Sequence, residues 1–239
     1  MRRLCGLLVL CLACSAAACG GGQSAGGLSG KSAPEVIALA ESAAQNEGSF
    51  HFIDQTGSGS QAEILVGDTS DDAGIQELKS PDGPLEVRLV DSIIYVNATA
   101  AVLSDAMKLS VATAKAHAGK WISLEQKDAP YETVLKTLAP SAELTPYTPV
   151  GDLKLGAVTK LHGHSVIAVY GTASSTVGAS AVATLYVSTV APYVPVGGSL
   201  VSSASQKVDS EVVAFTAWGE KVVPQVPTGA TPYSSLEGS

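Results

Sequence analysis

From residue 32 onward, apolar positions fall first at helical and then at strand spacing. Val36, Ile37, Ala40, Ala43 and Ala44 form one stripe, the signature of a helix with a single buried side. Ser32 and Glu35 make a capping box ahead of it, Pro34 suits the first turn, and Gly48 supplies the stop. Strand-like segments follow at 49–55, 61–68 and 74–80, separated by Gly57-Ser58-Gly59 and followed by Pro81-Asp82-Gly83-Pro84. Leu85, Val87 and Leu89 alternate with Glu86 and Arg88. With 93–97 they flank Asp91-Ser92, which predicts a hairpin. The Ala-rich stretch 99–117 predicts a helix in two pieces closed by Gly119, then a short strand over 120–124. Asp128-Ala129-Pro130 opens a further helix with Tyr131, Val134, Leu135 and Leu138 on one face. Pro140 ends it, and 141–152 reads as loop. The last third predicts strands at 157–161 and 165–170 around His162-Gly163-His164, then at 181–189, 200–203, 211–216 and 221–226.

One stretch is unusual in its polarity. Ser165 to Gln206 contains no Asp, Glu, Lys or Arg. Gly171, Gly178, Pro192, Pro195, Gly197 and Gly198 interrupt it, and Ser and Thr alternate with apolar residues, so it does not read as a membrane helix. It predicts a sheet with an uncharged surface that covers helices or lines an apolar cavity.

The first 18 residues read as an export signal. Arg2 and Arg3 form a positive end, Leu4 to Ala13 an apolar run, and Ala16-Ala17-Ala18 a small-residue cleavage site. Two processing routes share that cut. Ordinary cleavage leaves a soluble protein with a free thiol. The lipoprotein route leaves Cys19 carrying diacylglycerol, and Ala16-Ala17-Ala18-Cys19 resembles the bacterial lipobox, with Ala16 where Leu is usual. Cys14 has poorer neighbours. Gly20 to Gly30 is rich in Gly and Ser, a flexible tether of the kind a lipid-hung domain needs. All four cysteines lie at or before position 19, so the mature chain has no internal disulfide and relies on its core.

The whole chain carries 14 basic against 22 acidic residues. Without Arg2 and Arg3 the mature balance is −10. That excludes the basic face of a nucleic-acid binder and a polybasic membrane anchor. At 46% hydrophobic, the chain is too apolar for disorder.

Motif by motif, no reaction is named. Ala25 to Ser32 matches a relaxed phosphate-loop pattern, but a tether rather than a strand precedes it. His162 and His164 would need His51 or His117 to complete a metal set. Asp68, Asp71 and Asp72 lack the order of a calcium loop. No nucleophile–base pair is visible, so no enzyme, no cofactor and no metal are expected. Trp121 and Trp218 read as core anchors.

In sequence order come the lipobox, the tether, a helix, antiparallel strands, helices with Gly119-Lys120-Trp121-Ile122, and a hairpin. Phe215-Thr216-Ala217-Trp218-Gly219-Glu220-Lys221-Val222 then precedes a Pro-rich end. With Val90-Asp91-Ser92-Ile93-Ile94-Tyr95-Val96 and Leu161-His162-Gly163-His164, this resembles actinobacterial LolA/LolB-like half-barrel lipoproteins, the LprG/LppX-type group. The resemblance spans nearly all of 32–228. It implies an α+β fold: a curved antiparallel half-barrel sheet wrapped over a few helices, with an apolar cavity between them. The expected organisation is a signal peptide at 1–18, a lipidated Cys19 and tether at 19–31, the half-barrel at 32–228, and a flexible tail at 229–239.

The expected function is that of an exported lipoprotein, held on the extracytoplasmic face of the cell membrane by Cys19, that binds or transfers an acylated lipid or glycolipid. The alternative is a structural or interaction lipoprotein with a filled core and a protein partner. The acidic balance leaves no basic cluster to clamp an anionic headgroup. Strand alternation places Phe52, Ile64, Leu89, Tyr95, Val169 and Leu185 towards the cavity.

Overall fold

The computed structural model describes residues 26–174, 181–202 and 209–236. Cys19 and the cleavage site lie outside these residues. Twelve strands make one sheet, in the order β12-β6-β5-β4-β3-β2-β1-β11-β10-β9-β8-β7. All neighbours are antiparallel except β12 with β6. The first strand therefore sits in the middle. An early meander, β2 to β6, extends from one of its edges, and a late one, β11 back to β7, from the other.

Helix α1 (Ala33–Glu47) begins and ends where its caps require. Glu35 Oε2 accepts from the Ser32 backbone amide at 2.7 Å, and Gly48 takes the left-handed conformation that a C-cap glycine permits. Strands β1 (Ser49–Thr56), β2 (Glu63–Ser70) and β3 (Gly74–Lys79) follow. The hairpin of β4 (Leu85–Val90) and β5 (Ile93–Ala98) turns on Asp91 and Ser92, both at positive φ, which matches the twist of the strands. The Ala-rich stretch is two helices, α2 (Ala100–Ala106) and α3 (Val111–His117), leading into β6 (Ile122–Leu124). Then come α4 (Tyr131–Leu138) and the late strands β7 (Val150–Leu161), β8 (His164–Thr172), β9 (Ala181–Ser188), β10 (Pro195–Ser202) and β11 (Asp209–Thr216).

Four expectations are corrected. Pro140 stops α4 but also starts α5 (Pro140–Leu144) as its first residue, so 141–152 is not loop; a 3-10 turn at Thr145–Tyr147 and the start of β7 use the rest. No strand forms at 221–226. Pro224 and Pro227 lack the amide a ladder needs, and Arg88 Nη1 donates to the Gln225 carbonyl at 2.8 Å instead. Within the expected tail, Thr231–Pro232 forms β12, and Tyr233 and Leu236 are buried. The expected tether is fixed from residue 26 onward, with Gly26–Leu28 in a 3-10 turn and Leu28 buried.

Two apolar clusters fill the concave side. One gathers Phe50, Phe52, Phe215, Tyr147, Val169 and Leu185 under α1, with Trp218 packed against it. The other gathers Val87, Leu89, Ile94, Val96, Leu103 and Leu138 under α2 to α4, with Tyr233 and Leu236. Tyr233 Oη donates to the Met107 carbonyl at 3.0 Å, which ties the C-terminal segment to α2.

Candidate functional site

The two clusters meet over β2 and β3, and the sequence there changes character. Strand pairing puts Phe50, Thr69, Gly74 and Leu89 in one inward row, and Phe52, Gly67, Gln76 and Val87 in the next. Between aromatic and aliphatic neighbours, the middle positions are thus glycine or polar. Thr69 Oγ1 donates to the Leu138 carbonyl at 2.6 Å, and Gln76 Nε2 to the Thr137 carbonyl at 2.9 Å. Those carbonyls end α4 and have no partner within the helix. The sheet therefore caps α4 from below.

A carboxyl group cluster continues this polar seam. Gln76 Nε2 also donates to Glu143 Oε1 at 3.2 Å. Tyr147 Oη lies 2.5 Å from Asp54 Oδ2 and 2.5 Å from Glu211 Oε1. One hydroxyl has one proton, so one of those contacts is donated by a carboxyl. Burial pushes Asp54 up to about 7; the Tyr147 hydrogen bond opposes this and the Glu211 charge adds to it. Burial pushes Glu143 up to about 8, and the charges of Asp54 and Glu211 act in the same direction. Burial, then Asp54, also raises Tyr147 well above its usual range. Tyr147 packs flat on Gly198, where an added Cβ would lie 2.6 Å from its own Cβ. Only glycine admits this approach.

Above the seam the helices part. A cavity of about 370 Å³ lies between the C-terminal half of α1 (Glu41, Ala44, Gln45) and the α4–α5 junction (Pro140, Leu144). Its volume is within the range of small-molecule pockets, about 300–1,000 Å³. A second cavity of about 190 Å³ runs beneath the same junction to Leu89, Leu135 and Leu138. Asp71, Ala139 and Pro140 border both. A larger, more open groove of about 730 Å³ skirts the rim past Glu47, Asp91, Glu220 and Lys221.

The residues expected to face a cavity divide. Phe52, Leu89, Val169 and Leu185 are buried on the concave side. Leu89 borders the smaller cavity, whereas Phe52, Val169 and Leu185 are packed within the aromatic cluster. Ile64 and Tyr95 are corrected. Ile64 pairs with Gln55 and Lys79, and Tyr95 with Arg88 and Ser123, all on the convex side. In Ile64-Leu65-Val66 and Ile93-Ile94-Tyr95-Val96 both faces are apolar, so alternation does not tell inside from outside, and one residue of slip reverses the face. The bordering residues not foreseen are Ala44, Pro140 and Leu144.

Other candidates disperse. His51 Nδ1 is 2.8 Å from Asp68 Oδ1 on the convex side. His117 ends α3, while His162 and His164 flank the β7–β8 turn at the other end of the sheet order. Among the described residues, no group of three His, Cys, Asp or Glu is placed to hold a metal. Trp218 packs on Phe50 with ring centroids 4.7 Å apart and donates Nε1–H to the Pro195 carbonyl at 2.9 Å. Trp121 lies on the convex side under the Arg88 guanidinium, 4.9 Å away.

No protein-family profile matches the chain, and no curated protein matches it in sequence. Solved structures do match. The lipoprotein LppX of Mycobacterium tuberculosis is 16% identical with a TM-score of 0.52, over 80% of this chain and 99% of that one. LprF of Mycobacterium bovis is 14% identical with a TM-score of 0.50, over 82% and 98%. With the open, curved, mostly antiparallel twelve-stranded sheet, these likenesses show that the chain has the LppX/LprF-type half-barrel fold implied by its resemblance to the LolA/LolB-like group.

Proposed function

We propose that this chain is an exported lipoprotein, anchored through diacylglycerol on Cys19, that binds an acylated lipid between its helices and the concave side of its sheet. The observation that carries this reading is a cavity between α1 and the α4–α5 junction and, sharing its Asp71, Ala139 and Pro140 border, a smaller one beneath that junction that ends on Leu89, Leu135 and Leu138. The aromatic cluster is filled, so the acyl chain lies on the helix side rather than against Val169 and Leu185. Each methylene transferred there from water contributes about 0.8 kcal/mol. The polar seam offers hydrogen-bonding groups beside the apolar space, and its carboxyl groups favour an uncharged, hydroxyl-rich headgroup over a phosphate. Binding alone is proposed.

The test is mass spectrometry of an organic extract from the full-length protein exported in a related host. The expected result is a stoichiometric acylated lipid, reduced several-fold by Ala44→Phe, which narrows the opening without touching the sheet. A lipid-free wild-type protein would refute the reading and favour an envelope lipoprotein that acts through a protein partner. Loading unchanged by Ala44→Phe would move the ligand elsewhere.

A further inference from the structure

The chain's own covalent path bears on how it sits on a membrane. Gly27 lies so close to the β9–β10 turn that an added Cβ would stand 2.0 Å from the Tyr193 hydroxyl, and Leu28 is buried beside it in the aromatic cluster. Seven residues lie between Cys19 and Gly27. Fully extended, at about 3.3–3.6 Å each, they span less than about 30 Å. A domain of this size has a radius of gyration of about 16 Å and is about 40 Å across. A lipid on Cys19 therefore holds the β9–β10 rim nearest the bilayer, and the opposite rim is beyond its reach.

The chemistry of that rim agrees. The turn exposes Val190, Ala191 and Pro192, with Val190 at 66%. The β7–β8 turn lies alongside, joined by the Thr189 amide donating to the Ser165 carbonyl at 2.9 Å. It exposes Lys160, His162 and His164. Between Asp152 and Asp209 the chain has no acidic residue at all. These two turns carry no carboxylate, while Glu47, Asp91 and Glu220 lie further along the same rim, so in a mature protein of net charge −10 this is the stretch of it that an anionic surface repels least.

We infer that the β9–β10 turn, flanked by the β7–β8 turn, is the surface on which this protein rests on an anionic phospholipid bilayer. The inference depends on acylation of Cys19, and the test separates the two. The full-length acylated protein carries Val190→Cys labelled with an environment-sensitive fluorophore. It is bound to phosphatidylcholine–phosphatidylglycerol vesicles that contain a spin-labelled lipid. Val201→Cys serves as reference, since Val201 is 42% exposed at the far end of β10. Quenching at least threefold stronger at position 190 than at 201 is expected. Equal quenching with the protein still on the vesicles would overturn the orientation alone. Protein that does not float with the vesicles would overturn the acylation, and this inference with it.

Discussion

The two clusters beneath the sheet are built differently. The cluster under α1 contains all three phenylalanines, with Trp218 and Tyr147 against them. It joins strands far apart in sequence, such as β1 and β11. The cluster under α2 to α4 is mostly aliphatic and mostly local, drawn from residues 85–138 with a late contribution from Tyr233 and Leu236. Interlocked aromatic rings over a long-range sheet make a fixed frame. Short helices of seven or eight residues over a local hairpin make a part that yields first. Between them the inward positions are glycine, Thr69, Gln76 and carboxyl groups rather than continuous apolar packing. A half-barrel built in this way parts most easily there.

The strongest way to break this division is to remove residues 229–239. Losing Tyr233 and Leu236 should cost about 3–6 kcal/mol, at about 1.5–3 kcal/mol per buried side chain. Hydrogen exchange should accelerate on β4–β6 while β8–β11 stay protected; simultaneous loss of both would make the clusters one unit. Phe215→Ala strikes the frame instead and should cost about 3–5 kcal/mol in denaturant unfolding, with β8–β11 losing protection. Thr69→Val at the seam leaves the Leu138 carbonyl without its donor and should cost about 1–3 kcal/mol. It should loosen α4 more than α1, which amide exchange can resolve.

A further perturbation is pH. Asp54 and Glu143 have folded pKa values raised to about 7 and about 8, so the folded state holds more protons than the unfolded one above the ordinary carboxylate range. Their contribution is complete below about pH 4 and is lost as pH rises towards 7 and 8. The protein should melt at a lower temperature at pH 8.5 than at pH 5.5. Asp54→Asn combined with Glu143→Gln should flatten that slope, and an unchanged slope would remove these groups from the seam's energetics.

Local signals in the sequence carried much of the fold. The capping box placed α1, the Asp91-Ser92 turn placed the hairpin, and period-two alternation found the concave face at Leu89. Signals that depend on distant partners were silent. Nothing near Tyr233 announces Met107, and Pro224 and Pro227 outweigh the apolar run around them. Position 140 is ambiguous in sequence because one proline can end one helix and begin the next. The site was the least legible part. Ala44 and Pro140 border a cavity only because two helices far apart in sequence pass each other, and the seam needs Gly67, Gln76 and Glu143 brought together from three elements.

The central place of β1 also has a consequence for biosynthesis. Ser49 Oγ donates to the Glu220 carbonyl across 171 residues of sequence, and His51 to Thr56 of β1 pair with β11 nearby. A chain that emerges from its N-terminus presents β1 first and its partner almost last. Until β11 arrives, β1 has one bare edge, the kind of template that invites pairing with another chain. The early meander can assemble during that wait because its contacts are local, whereas closure of the sheet waits for the far end. Under the proposed function, attachment through Cys19 would precede completion of the fold, so that each unfinished chain would wait at its own anchor instead of free among others.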